Sequence, residues 1–200
     1  MVYQSHLRGR MDKKYGEEIT VEFKLLEVED FEDLQPFTCG NQKLDNHIHG
    51  LIQNNQICDD DGLYFVFKDS ETKEIVAISS LAASGIIFEQ TNYTHVLPAI
   101  KIDILAVDVK YQKMHYDLES EVASDPNDHY YFSDYIMGQI LCHCRNVAET
   151  GILANYILLY ADKKAYRYYE RNAFLDFEEY MVKENNQEIN ENIPMYMKLD

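Results

Sequence analysis

Apolar positions along this chain fall into two rhythms, and the changes between them mark the elements. ITVEFKLLEV, from Ile19, is rich in β-branched and apolar residues and predicts a first strand. From Asn41 the period lengthens. Leu44, Ile48, Leu51 and Ile52 follow the spacing of a helix with one buried stripe, and Cys39-Gly40 breaks the chain before it. Two strand-like runs come next, Leu63 to Lys68 and Glu74 to Ala82, separated by a polar turn suited to a hairpin. A further strand is predicted from Lys101 to Val107.

After a long polar loop, Ile136, Met137, Ile140, Leu141, Cys144, Val147 and Ala148 line the buried face of a second helix. Ser133 is expected to cap its start, and Gly151 stands at its stop. NYILLYA predicts a short buried strand, and DKKAYRYYERNAF a helix that opens on an acidic residue and closes near Asn172. Phe174 to Val182 and Ile193 to Leu199 predict a closing antiparallel pair joined by the polar KENNQEINEN. The order is strand, helix, three strands, helix, strand, helix, two strands, with no internal repeat.

Composition narrows the class. Two hundred residues, 46% hydrophobic, suffice for one sizeable core, and no linker-like stretch divides the chain, so a single domain over residues 1–200 is expected. Residues 1–18 read as a loose extension and 115–132 as an acidic loop. The net charge of −17 argues against sequence-independent nucleic-acid or anionic-membrane binding and favours amine-bearing partners. Apolar runs are strand-sized and the N-terminal stretch lacks a signal-peptide core, which predicts a cytoplasmic location. Four scattered cysteines do not make a disulfide framework. Cys142 and Cys144, two apart on a helix, point to different faces, and His47 and His49 share that spacing, so no metal site is expected.

Three segments carry a family resemblance. ILAVDVKYQ, the helix-bearing YILLYADKKAYRYYERNAF and the final strand pair resemble the N-acetyltransferases of the GNAT superfamily, with their LAVxxxYQ strand end and AxxFYxxxGF helix end. FTCGNQKLDNHI, from Phe37, is similar to the FxCGxxxLDxxL opening of that superfamily's toxin-type branch, whose members acetylate the amino group of aminoacyl-tRNA and pair with an antitoxin. The likeness runs in order over nearly the whole chain. It implies an α/β (α+β) fold: a mixed, mostly antiparallel sheet with helices on both faces and a splayed central pair of parallel strands.

The implied chemistry is transfer of an acetyl group from acetyl-CoA to a primary amine by direct attack in a ternary complex, without metal. That reaction needs a neutral amine held against the thioester carbonyl, a donor for the developing oxyanion and a proton for the leaving thiolate. By resemblance, the backbone of Ile104, Leu105, Ala106 and Val107 carries the thioester arm. Ala165, Tyr168, Tyr169 and Phe174 fill the helix pattern, so Tyr169 is the phenol that protonates coenzyme A. An ordinary tyrosine pKa of about 10 suits that role. Ala173 replaces the family's glycine. Asp103, Asp108 and Glu89 are the carboxylates near the strands, and none is assigned as base.

The family's Q/R-x-x-G-x-G/A loop grips the pyrophosphate with backbone N–H groups at a helix N-terminus. Here Gln112 keeps the first position, but His115 and Asp117 replace the glycines, and Glu119, Glu121, Asp125 and Asp128 come after. Non-glycine residues resist positive φ, and carboxylates repel phosphate. The expectation is a remodelled turn in which Lys113, His115 and Tyr116 reach the pyrophosphate by side chain, with Ser133 at the helix start. Two alternatives stay open: a non-catalytic interaction module that has lost the phosphate site, and a toxin-type enzyme acting on aminoacyl-tRNA. The acceptor, a small molecule or a peptide amine, has no motif of its own, and the oligomeric state, a homodimer included, is equally open.

Overall fold

A computed structural model describes residues 3–10, 18–59, 62–90, 93–114, 131–177 and 191–199. In chain order the elements are β1 (Tyr3–Arg10), β2 (Glu18–Leu25), a 3-10 turn (Val28–Asp30), α1 (Phe31–Leu34), α2 (Gln42–Asn54), β3 (Cys58–Asp59), β4 (Gly62–Asp69), β5 (Ile75–Gln90) and β6 (Tyr93–Val107). They continue with α3 (Phe132–Thr150), β7 (Tyr156–Ala161), α4 (Tyr166–Arg171), β8 (Leu175–Asp176) and β9 (Ile193–Lys198). The hydrogen-bonded strand order is β1-β2-β4-β5-β6-β7-β9-β8, with β3 beside β4. The sheet is mixed and mostly antiparallel, with β6 and β7 forming a parallel pair.

Several boundaries depart from the sequence reading. Residues 3–10, expected in a loose extension, form β1 and pair antiparallel with β2. β5 and β6 extend well beyond the predicted runs, while α4 is shorter because Asp162 first builds a turn, accepting from the Lys164 N–H. Ser133 does not cap α3: it is the second residue of the helix. Phe132, 1% exposed, is drawn into the core against the rings of Tyr111 and Tyr135, and Asp134 reaches back to the Tyr131 N–H. Burial of a large aromatic thus outweighs the capping preference of serine.

The chain divides into two compact units, Met1–Ser80 with Ile104–Ile140, and Leu81–Asp103 with Leu141–Asp200. The first is built on a cluster joining Leu26, Phe31, Leu34, Phe37, Ile48, Leu51, Tyr64, Val66, Ile75, Ile78, Ile104 and Ala106. β4 is buried on both faces, which explains its unbroken apolar run: Tyr64 and Val66 join that cluster, while Phe65 and Phe67 stack on Phe23 of β2. α2 starts where the Asn41 side chain accepts from the N–H groups of Lys43 and Leu44, and stops at Asn55 with φ of 54°. Its expected stripe is buried at Ile48 and Leu51, with Leu44 and Ile52 packed at the margin.

In the second unit, β7 is the central strand. It pairs antiparallel with β9 over all six residues, Tyr156–Ala161 against Ile193–Lys198. With β6 it forms only three parallel pairs, Ala99 to Lys101 against Tyr156 to Leu158, although within the unit β6 continues through Asp103 and β7 through Ala161. The parallel ladder in this unit is therefore short. α3 ends where the N–H groups of Gly151 and Ile152 both donate to the Val147 carbonyl, the stop expected at Gly151. Among the described residues, no helix is long and apolar enough to cross a membrane.

Candidate active site

The first unit holds the end of β6 and the turn after it, the backbone to which the resemblance assigns the thioester arm. Ile104, Ala106 and Val107 are buried and Leu105 half-buried. Asp108, 4% exposed, organises that turn. Its N–H donates to the Val76 carbonyl, its carboxylate accepts from the N–H groups of Lys110 (2.9 Å) and Thr38 (3.1 Å), and its carbonyl accepts from Tyr111 and Gln112. This is the local bonding that aspartate favours in turns, and it occupies the carboxylate that the sequence offered as a possible base.

Gln112 uses its side chain in an unexpected way. Its Nε2 donates to the carbonyls of Val107 and Cys39, both at 2.8 Å, and its backbone N–H is engaged with Asp108. The backbone donors of Lys110, Tyr111 and Met114 are likewise bonded inside the turn. Lys113 is exposed, and Ser133 lies in the first turn of α3. His115, Tyr116 and the acidic stretch to residue 130 lie outside the described residues.

The FTCGNQKLD segment explains itself physically. Phe37 is buried, Gly40 takes φ of 80°, and a Cβ there would meet Val109 Cγ1 at 3.3 Å. Asp45, one turn into α2, reaches back to the Thr38 hydroxyl (2.7 Å) and the Cys39 N–H (2.8 Å). Burial alone would raise its pKa, but these hydrogen bonds outweigh burial and hold the carboxyl below the usual range. Burial, reinforced by Asp45, pushes the Cys39 thiol up to about 11, so it is no ready nucleophile at neutral pH. The Val109 N–H donates to the Thr38 carbonyl and Gln112 to that of Cys39, so the N-terminal motif and the LAVDVKYQ motif form one hydrogen-bonded piece. The sequence reading assigned no role to Thr38 or Asp45. A carboxylate in the first turn of a helix, a few residues after Thr38 and Gly40, is the available signal.

In the second unit, α4 presents Tyr169 at a half-buried position, its ring edge-on to those of Tyr168 (5.2 Å) and Phe174 (5.9 Å). Burial, with a smaller contribution from the Asp162 carboxylate, pushes the phenol up to about 12. The helix closes on a Schellman turn: the Phe174 N–H donates to the Tyr169 carbonyl and the Ala173 N–H to that of Glu170. Ala173 adopts φ of 65°, the conformation the missing glycine would favour, and Phe174 is 1% exposed as the anchor beyond it. Asp103 pairs with Lys101, whose ammonium also lies 5.6 Å from the Tyr160 ring centre.

His47 and His49 remain apart from this chemistry. His47 Nε2 lies 2.6 Å from the hydroxyl of buried Tyr64, which donates to Asp59 at 2.6 Å. Cys144 is buried and Cys142 exposed, on different faces as expected. Among the described residues, no group of three or more His, Cys, Asp or Glu side chains could hold a metal ion.

No protein-family model matches the sequence, and no curated protein does. Solved structures match by fold. A bacterial toxin superposes with a TM-score of 0.63 at 14% identity, covering 90% of this chain and 92% of that one. A mutant of the toxin AtaT, bound to the C-terminus of the antitoxin AtaR and acetyl-CoA, gives 0.57 at 16% identity, covering 90% and 93%. AtaT complexed with acetyl-methionyl-tRNAfMet gives 0.58 at 16% identity, covering 89% and 94%. The chain therefore shares the fold of these toxins, a mixed, mostly antiparallel sheet with one parallel pair.

Proposed function

We propose that the protein is an acetyl-CoA-dependent N-acetyltransferase. The observation that supports this best is local. The pattern around Tyr169 folds as its glycine-containing counterpart would, with Ala173 held at φ of 65° and a phenol kept protonated on α4. The three-pair parallel ladder and the fold likeness to an acetyl-CoA complex point the same way.

In this reading the thioester arm runs along the backbone of Ile104 to Val107. The neutral amine attacks the thioester carbon: the C–N bond forms and the carbonyl π pair moves to oxygen. Collapse of that oxyanion breaks the C–S bond. The thiolate takes the Tyr169 proton, and the surplus proton of the amine leaves to solvent, from which Tyr169 is reprotonated. The products are an N-acetyl amine and coenzyme A. The N–H groups of Lys110, Tyr111, Gln112 and Met114 are engaged within the turn after β6, so in this reading pyrophosphate contacts fall to Lys113, His115, Tyr116 and the start of α3 at Ser133.

The acceptor is an amine, either a small molecule or a peptide. Its cationic resting form is attracted by a surface of net charge −17. A second reading, an aminoacyl-tRNA acceptor, is favoured by one finding: AtaT, similar in fold, forms a complex with acetyl-methionyl-tRNAfMet. The acidity of this chain, which argues against a polyanion, opposes it.

Thermal melting with acetyl-CoA tests the reading. At one hundred times Kd a ligand should stabilise the fold by about 2.7 kcal/mol. Thiol release with free amines, with peptides and with charged tRNA then separates the acceptors, and no shift with acetyl-CoA or coenzyme A would favour the non-catalytic module.

A further inference from the structure

We propose that the Asp103 carboxylate and the Tyr160 ring seat the acceptor, as the ammonium end of an unbranched alkyl primary amine. The assignment deepens the acetyl-transfer reading above and rests on it. Its ground is a group already in place: the Lys101 ammonium pairs with Asp103 and lies 5.6 Å from the centre of the Tyr160 ring. A lysine side chain ends in the same methylene and primary ammonium that an alkyl amine presents, so Lys101 shows that this corner fits such a group.

All three residues belong to the second unit. Lys101 is the last β6 residue paired with β7, opposite Leu158. Residues paired across a ladder share a face, as do residues two apart on a strand, so Asp103 and Tyr160 stand beside that pair where the ladder stops. The same alternation through β9 puts Tyr156 and Tyr196 on this face, with ring centres 6.2 Å apart, and Phe177 meets Tyr196 edge-on at 5.6 Å. The opposite face is closed, with Ile100, Ile102, Ile157 and Leu159 buried. The aromatic face is open to water: its four rings are half-buried, and the side chains of Lys101 and Asp103 are 28% and 23% exposed. A carboxylate beside aromatic rings attracts an ammonium by charge and by cation–π interaction.

Lys101 does not close the seat. A water-accessible ion pair holds its partners weakly, and the long lysine stem can swing aside, so an incoming ammonium takes its place at little cost. Chain order supplies the link to the reaction. In the acetyl-transfer reading the pyrophosphate belongs to the turn after Val107, and the arm runs back along β6 to Ile104, the residue after Asp103. The acyl end is therefore the end toward Asp103, where the amine has to arrive. Asp103 binds the cation and stays a carboxylate: the seated ammonium gives one proton to water, and the neutral amine then attacks as above.

The test follows the Tyr160 ring by NMR while n-pentylamine, or n-pentanol as its uncharged counterpart, is titrated into the wild type, Asp103→Asn and Lys101→Met. The ring should shift saturably with the amine and not with the alcohol. Asp103→Asn should weaken the amine about tenfold, and Lys101→Met, which vacates the seat, should tighten it about threefold. Tightening is the readout that a merely structural lysine would not give. A blocked lysine peptide titrated alongside separates the two sources of an alkylammonium, a free amine and a side chain, and saturation by either supports the seat. No saturable shift with either, or no tightening in Lys101→Met, overturns the seat and leaves the acetyl-transfer reading to its own melting test. A ring shift in a protein that binds acetyl-CoA but releases no thiol with the same amine overturns the acceptor assignment. A ring shift without any acetyl-CoA binding overturns the transfer reading and the assignment with it.

Discussion

Gln112 spans two carbonyls, those of Val107 and Cys39, with one amide nitrogen at 2.8 Å from each. The strand end that the resemblance assigns to the thioester is thereby fastened to the loop that precedes α2. Gln112→Leu should loosen that joint. Because Gln112 is exposed, water can replace part of what is lost, so the expected cost is about 1 kcal/mol rather than the larger penalty of a buried orphan. Chemical denaturation of the variant checks it, and stability equal to wild type would show the bridge to be idle.

Ala173 stands in the left-handed region at φ of 65°. An L-residue there costs roughly 1–2 kcal/mol, against roughly 0.5–1 kcal/mol for the greater unfolded-state freedom of glycine. The first effect wins, so Ala173→Gly should stabilise the protein by about 0.5–1 kcal/mol and raise the melting temperature by a few degrees. A lower melting temperature would mean that the turn differs from the one described.

Tyr169→Phe should lower kcat by about 10²–10⁴-fold while leaving the Kd for acetyl-CoA within about twofold, because in the proposed reaction the hydroxyl acts when the thiolate leaves. With its pKa raised to about 12, the phenol stays protonated well past pH 10. The raised value also sets a sign for stability: the contribution of Tyr169 is complete below the unfolded pKa near 10 and is lost as pH climbs toward 12. The Phe variant should therefore show a flatter alkaline decline in melting temperature than the wild type.

Asp45 gives the opposite sign. Burial raises its pKa, but hydrogen bonds from Cys39 and Thr38 outweigh that and lower the folded-state value, so its stabilisation is full above the unfolded pKa near 4 and disappears as pH falls through the folded one. Asp45→Asn should cost about 1.5–3 kcal/mol at neutral pH and weaken the acid-side decline. Urea midpoints between pH 3 and 7 measure both. Asp30 and Glu74, whose pKa values are also lowered, keep part of the decline in place.

Much of this architecture is legible in the order of residues, because burial leaves a local trace. The stripe of Ile48 and Leu51 on α2, the buried face of Ile136, Met137, Ile140 and Cys144 on α3, and the continuous apolar runs of β4 and β7 each arise from one element meeting one core. The helix of YRYYER and its close near Asn172 were legible as a local segment, whereas Tyr169 was singled out only by the family resemblance.

Only the tertiary structure decided how polar residues are used, since a hydrogen bond needs a partner and the partner is set by the fold. Asp108 reads as a free carboxylate until Thr38, seventy residues away, donates to it. Gln112 reads as a phosphate-loop residue until the Cys39 carbonyl meets its amide. β1 pairs through backbone groups that carry no sequence signal, and Ser133 yields the start of α3 to Phe132 because burying a ring is worth more than capping a helix. Hydrophobic pattern is a property of a segment, whereas the satisfaction of a polar group is a property of the segments that surround it.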